Sequence, residues 1–232
     1  ARAYFDLRER IAIKEAEREP TTLRRGWKSG QQGEFNVEAA ALFPKSSDEK
    51  TWIYSRSNGV AAHYSRELAG DAAARELVER DRILRSWFGE FKPKLIALPE
   101  TGLVQTLRKH YELNGYWFGE GVTAVVGYSL AREKVLRKPL FLGFGSSASP
   151  KASLEHALRE GVQRVCFLWD EALPAEVPGP YPHVDFHLDY FLHESSHYLL
   201  RDWLSGSSTL GEPHETDGKN VYRDVVLADI TP

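Results

Sequence analysis

The chain has 232 residues, of which 42% are hydrophobic and 27% charged, a balance that supports a sizeable apolar core in water. Thirty Lys and Arg against 33 Asp and Glu leave a formal charge of −3, which argues against a general nucleic-acid binder, and no apolar run approaches the roughly 18 residues a membrane helix requires. The single cysteine, Cys166, excludes an internal disulfide framework and fits a reducing, cytoplasmic setting; in the apolar run VCFLW it reads as a buried structural thiol.

In chain order, residues 2–18 read as a helix ended by Pro20, and the polar stretch Thr21–Gln31 reads as a mobile loop. A strand is expected near Thr51–Ser55, then a turn at Ser57-Asn58-Gly59. Ser65–Trp87 reads as a long alanine-rich helix with Leu68, Ala72, Leu77 and Leu84 as its apolar stripe. Leu95–Leu98 is a short strand between two prolines, and Leu103–Asn114 a further helix. Thr123–Ser129 and Pro139–Phe144 look like buried strands, with Gly143–Ser149 a loop of small residues. Pro150 can open the helix Lys151–Val165. A helical stretch near Glu194–Leu204, a polar loop at Gly206–Lys219 and a last strand at Val221–Ile230 complete the pattern. Intermingled strands and helices imply a mixed α/β, α+β fold, with no linker long enough to force a domain boundary within 1–232. No methionine occurs, even at position 1, where average usage would give about five in all. We therefore expect a single core that is incomplete at both ends and in its loops.

One carboxylate pattern occurs three times: Asp6-Leu-Arg-Glu9-Arg10, Glu76-Leu-Val-Glu79-Arg80 and Glu160-Gly-Val-Gln163-Arg164. Residues three apart on a helix share a face, so both oxygen-bearing side chains of each pattern can reach one site. Stacked acids repel and gain nothing from adjacency unless a cation lies between them. Magnesium takes hard oxygen ligands and is commonly shared between a few carboxylates and phosphates, while the neighbouring arginines suit phosphate oxygens. Glu and Arg are also ordinary formers of wet helix faces, but the recurrence beside alanine-rich sequence favours a shared site. The small-residue turns Ser57–Ala62 and Gly143–Ser147 precede the second and third patterns, and could turn backbone N–H groups toward phosphates.

These residues resemble a known family. SNGVAAHYSRELAGDAAARELVERD, residues 57–81, looks like the central motif of the YcaO superfamily, and GFGSSASPKASLEHALREGVQR, residues 143–164, looks like its third. AYFDLRER, HLDYF and VYRDVVLADITP are similar to the opening and closing parts of the family core, in the right order. The resemblance implies a core whose helices line a cleft for ATP and Mg2+, with Glu76, Glu79 and Glu160 as the best metal–phosphate ligands and Asp6 and Glu9 completing the set. It further implies nucleotide contacts from Ser57, Asn58, Arg80, Gln163 and Arg164. Family members of the azoline-forming (TOMM/SagD-like) type turn Cys, Ser or Thr of a ribosomally made precursor peptide into thiazoline or oxazoline. The side chain adds to the preceding carbonyl, ATP phosphorylates the resulting oxygen, and phosphate leaves. Thioamidation through the same activated backbone, and a non-catalytic accessory or scaffold role, are the family's alternatives. The implied partners are the precursor peptide, a peptide-recruiting protein or domain, and a second copy in a homodimer. The chain departs from the pattern in having Asp6 for the usual Glu and His156 where Arg is frequent.

A different chemistry is spelled by His193-Glu194-Ser195-Ser196-His197, a literal H-E-x-x-H. On one helix it would place two histidines for zinc with Glu194 as general base, and Asp189, Glu212 or Glu215 as a third ligand. Without the longer metzincin spacing, the plainer reading is a helix packing through Tyr190, Phe191, Leu199 and Leu200.

Overall fold

A computed structural model describes residues 23–28, 35–38, 59–130, 139–167, 190–209 and 226–228. The chain divides into two compact units, Ala1–Leu77 with Lys219–Pro232, and Val78–Gly218. The first contains a three-stranded antiparallel sheet in which β1 (Leu23–Lys28) lies between β2 (Phe35–Glu38) and β7 (Val226–Ala228). Leu23–Lys28 is therefore a strand within the stretch expected to be a loop. Its backbone groups are satisfied on both sides by pairing, one partner coming from the far end of the sequence, so no long apolar run is needed to mark it. The expected helix 2–18, the strand at 51–55 and residues 210–219 fall outside the described residues.

Helix α1 (Arg66–Trp87) begins where the sequence places it, with the Ser65 hydroxyl accepting the Leu68 N–H at 3.2 Å. It ends in a Schellman turn. Gly89, at φ 86°, donates to Ser86 O at 3.0 Å, and Glu90 donates to Arg85 O at 3.0 Å. The buried face is not the leucine stripe. Leu68, Leu77 and Leu84 are 49%, 42% and 51% exposed, whereas Gly70, Ala73, Ala74 and Ser86 are buried. Small side chains make this contact face, and the leucines flank it.

The second unit is built on a four-stranded antiparallel sheet in the order β3 (Lys94–Ile96), β4 (Tyr111–Gly119), β5 (Val122–Ser129), β6 (Leu140–Ser146). α2 spans only Gly102–Leu107, capped by the Thr101 side chain. Tyr111–Asn114, expected to be helical, begins β4 instead, because Tyr111 pairs with Ser129 and the strand runs on into a tight turn. Gly119, Glu120 and Gly121 form that turn, all at positive φ (83°, 52° and 76°), a conformation that two glycines allow.

Alternation along β5 sorts the core. Val125 joins Ile96, Leu98, Val104, Tyr111 and Phe141 on one face, under Leu154, Ala157 and Leu158 of helix α3 (Pro150–Phe167). Val122, Ala124, Val126 and Tyr128 point to the other, where Tyr116 and Phe118 meet Leu200, Trp203 and Leu204 of helix α4 (His197–Leu204), with Val78 and Ile83 of α1 packed alongside. Phe118 and Phe141 are almost wholly buried, each contributing about 2 kcal/mol by area removed from water. Lys92 donates to the Asp202 and Trp203 carbonyls at 3.1 and 2.8 Å, closing the C-terminal end of α4. Ser208 O accepts the Leu95 N–H at 2.9 Å, which fastens the start of the expected polar loop to β3. The result is an α+β layered unit with helices on both faces of an antiparallel sheet. Among the described residues, no helix is long and apolar enough to cross a membrane.

Candidate active site

The third carboxylate pattern is positioned by an unusually close strand–helix contact. A Cβ added at Gly143 would lie 2.0 Å from Ala157 O and 2.5 Å from Gly161 N, and one at Gly145 would lie 2.2 Å from Ser153 O. On the helix, Ser153, Ala157 and Gly161 recur every four residues and form one small-residue face against β6. Ala157 thus serves a strand–helix contact. Gly143, Phe144, Gly145 and Ser146 belong to β6, so only Ser147–Ser149 remain of the expected loop.

This contact brings Glu160 back onto the strand that precedes its helix. Phe144 N–H donates to Glu160 Oε2 at 2.8 Å, while Arg164 Nη2 meets Glu160 Oε1 at 3.1 Å. The amide expected to face a phosphate holds a carboxylate instead. The second pattern repeats the arrangement: Gly59, at φ 75°, donates its N–H to Glu76 Oε2 at 3.1 Å. The acids accept from positions 17 and 16 residues upstream, so the segment before each helix, a turn at Gly59 and strand β6 at Phe144, orients the first acid of its pattern.

The other expected residues are placed as follows. Glu79 and Arg80 are half-buried on α1, Glu79 one turn beyond Glu76. Gln163 is exposed on α3, one turn beyond Glu160, and the Glu160 and Arg164 side chains are 29% and 35% exposed. Asp6, Glu9, Ser57 and Asn58 lie outside the described residues. A half-exposed carboxylate with one oxygen fixed by a backbone N–H is a hard, oriented donor of the kind magnesium takes. Among the described residues no group of three or more His, Cys, Asp or Glu is placed to hold a metal ion. Magnesium shared with phosphates does not need such a group.

Sequence reading missed Ser153, which is wholly buried beneath this contact. Its Oγ lies 2.8 Å from each of Thr123 Oγ1, Gly121 O and Gly145 O, tying the start of α3 to the β4–β5 turn and to β6. A serine followed four and eight residues later by Ala and Gly was the available signal. Cys166 is exposed on the last turn of α3, not buried, because the amphipathic helix turns that position to water.

The histidine pattern does not form a zinc arrangement. His193 is extended (φ −86°, ψ 123°) and caps a 3-10 turn, Glu194–Ser196, its Nδ1 2.7 Å from Ser195 Oγ. His197 opens α4, is buried, and places Nε2 2.9 Å from Phe191 O beside the Tyr128 ring. The two imidazoles are thus not successive turns of one helix, which zinc ligation by this pattern requires. Burial raises the Tyr128 phenol to about 12, despite Arg201 at 3.7 Å over its ring, so it stays neutral at physiological pH.

Comparison with known proteins assigns the chain to a family. The pattern of the family described as "YcaO cyclodehydratase, ATP- and Mg2+-binding" matches residues 6–225, and the chain belongs to the YcaO family. Similar solved structures include the Escherichia coli microcin synthetase McbBCD complex, at 18% identity and TM-score 0.58, covering 84% of this chain and 55% of that one. The YcaO protein of Methanopyrus kandleri bound with AMPPCP and Mg2+ is 21% identical, with TM-score 0.55, covering 81% of this chain and 49% of that one. A heterocyclase in complex with substrate and cofactor is 21% identical with TM-score 0.54, covering 88% of this chain and 27% of that one. These likenesses show the fold, and the chain spans about half the length of the first of them. No curated protein matches the chain by sequence.

Proposed function

We propose that this chain is the catalytic core of an ATP- and Mg2+-dependent cyclodehydratase. It would activate a backbone amide in a ribosomally made precursor peptide and give a thiazoline or oxazoline. The observation that carries this reading is the repeated clamp, in which Gly59 N–H and Phe144 N–H each hold one oxygen of Glu76 and Glu160. A wet-face acid has no use for such a clamp, whereas a metal ligand gains from having its carboxylate oriented in advance.

On this reading Glu76, Glu79 and Glu160 hold magnesium, with Asp6 and Glu9 completing the set. Ser57, Asn58, Arg80 and Gln163 contact the nucleotide. Arg164, which holds Glu160 Oε1 at 3.1 Å, is a further nucleotide contact on this reading. ATP, when bound, supplies the phosphoryl group that turns a poorly departing amide oxygen into phosphate. The chain's own residues need only bind, orient and neutralise charge, so no covalent protein nucleophile is required. The peptide, and a protein or domain that recruits it, are the partners this chemistry requires. One solved neighbour is the Escherichia coli microcin synthetase McbBCD complex with pro-MccB17 bound.

Calorimetric titration of the full-length protein with a non-hydrolysable ATP analogue tests the reading. Binding is expected with Mg2+ and is expected to be lost on chelation with EDTA. Equal affinity with and without Mg2+ would refute the carboxylate site.

A further inference from the structure

A line of hydrogen bonds joins the helix that carries Glu79 to the helix that carries Glu160, and it starts at Arg82. Three positions after Glu79 on α1, Arg82 directs both Nε and Nη2 at the Phe118 carbonyl, at 2.9 and 2.6 Å. Its guanidinium carbon lies 4.2 Å from the centroid of the Phe91 ring. Phe118 immediately precedes the β4–β5 turn, and a Cβ on Gly119 would come within 2.8 Å of Arg82 Nη2. Arginine and turn therefore fit closely. At the other end of the turn, Gly121 O accepts from Ser147 N–H at 3.0 Å and from Ser153 Oγ at 2.8 Å. Ser147 leads into α3, and Ser153 lies in its first turn, two turns before Glu160.

We propose that Arg82 is a positioning residue for the Mg–nucleotide site. It fixes the β4–β5 turn to α1, the turn fixes the start of α3, and the spacing of Glu79 and Glu160 is set through this line. The planar guanidinium fork presents two donors to one carbonyl while its face lies on Phe91, which an ammonium cannot reproduce. The inference rests on the proposed reading of Glu79 and Glu160 as metal–phosphate ligands.

The test is the affinity of the full-length protein for a non-hydrolysable ATP analogue with Mg2+, measured by calorimetry alongside Tm. Arg82→Gln is expected to weaken binding about tenfold, a size usual for residues that couple to a site without touching it. Arg82→Lys, which keeps the charge and one donor, is expected to weaken it less. Leu200→Val trims the core on the same sheet face and should lower Tm while leaving affinity at the wild-type value. Wild-type affinity in folded Arg82→Gln would overturn the proposal. So would an affinity loss in Leu200→Val matching that of Arg82→Gln, because destabilisation alone would then account for it. If Arg82→Gln does not fold, wild-type affinity in Arg82→Lys overturns the proposal and a measurable loss supports it. Glu79→Gln and Glu160→Gln separate the two layers of the reading. If both bind the analogue as the wild type does, the carboxylate site is wrong and Arg82 falls with it. If they lose binding while the Arg82 variants keep it, only the positioning role fails.

Discussion

Glu160→Gln is expected to lower peptide-dependent ATP turnover by about 10²-fold, or roughly 3 kcal/mol of transition-state stabilisation. The amide oxygen of Gln can still accept the Phe144 N–H that now reaches Glu160 Oε2 at 2.8 Å, so the local fold has no reason to move. What disappears is one formal charge at the position proposed to face magnesium and phosphate. The pair with Arg164 also goes, but a half-exposed ion pair one helical turn long contributes only about 0.5 kcal/mol. Turnover and stability should therefore separate, with activity falling steeply and the denaturant midpoint hardly shifting. Glu79→Gln should behave alike. A Glu160→Gln enzyme with wild-type turnover would return the residue to the status of a helix-surface acid.

Gly143→Ala should act in the opposite order, on the fold first. The new Cβ would meet the Ala157 carbonyl and the Gly161 amide, both backbone, at distances no real contact shows. Neither can swing aside as a side chain would. The helix must shift off the strand, at about 3 kcal/mol or more of stability, the upper range for overpacking. Gly102→Ala is the control, since its Cβ would meet nothing within 4 Å and it lies in the first turn of α2. Urea unfolding should show a large midpoint loss for the first and close to none for the second. If Gly143→Ala unfolds like wild type, the close strand–helix contact that carries Glu160 back to Phe144 is not present.

The sequence made the helices of the second and third patterns legible because their ends are chemically marked, by Ser65 and Gly89 for α1 and by Pro150 for α3. It misled over which face of α1 is buried. Leucines at helical spacing look like a core stripe, yet here the buried positions are Gly70, Ala73 and Ala74, whose small size is easily taken for mere helix propensity. Tyr111–Asn114 reads as helix because its strand identity depends on pairing with Val126–Ser129 across a turn. Leu23–Lys28 reads as loop for the same reason, one of its two partners being distant in sequence. At the site, spacing alone could show that Glu160 and Gln163 share a face. It could not show that a carboxylate would turn back onto the amide of Phe144, because that bond depends on glycines admitting the helix to van der Waals contact with the strand.

The central claim is that the chain activates a backbone amide at the expense of ATP, and mass spectrometry of the peptide product tests it most directly. The full-length protein should be incubated with Mg2+, ATP, its precursor peptide and any recruiting partner, with phosphate release followed in parallel. The account predicts loss of one water mass per ring, with one phosphate released for each, and neither without Mg2+. Phosphate release with sulfur replacing oxygen, when a sulfur donor is added, would redirect the same site to thioamidation. An unmodified peptide with no phosphate released, from a folded and fully supplied protein, would contradict the account and leave a scaffold that keeps the family's fold without its chemistry.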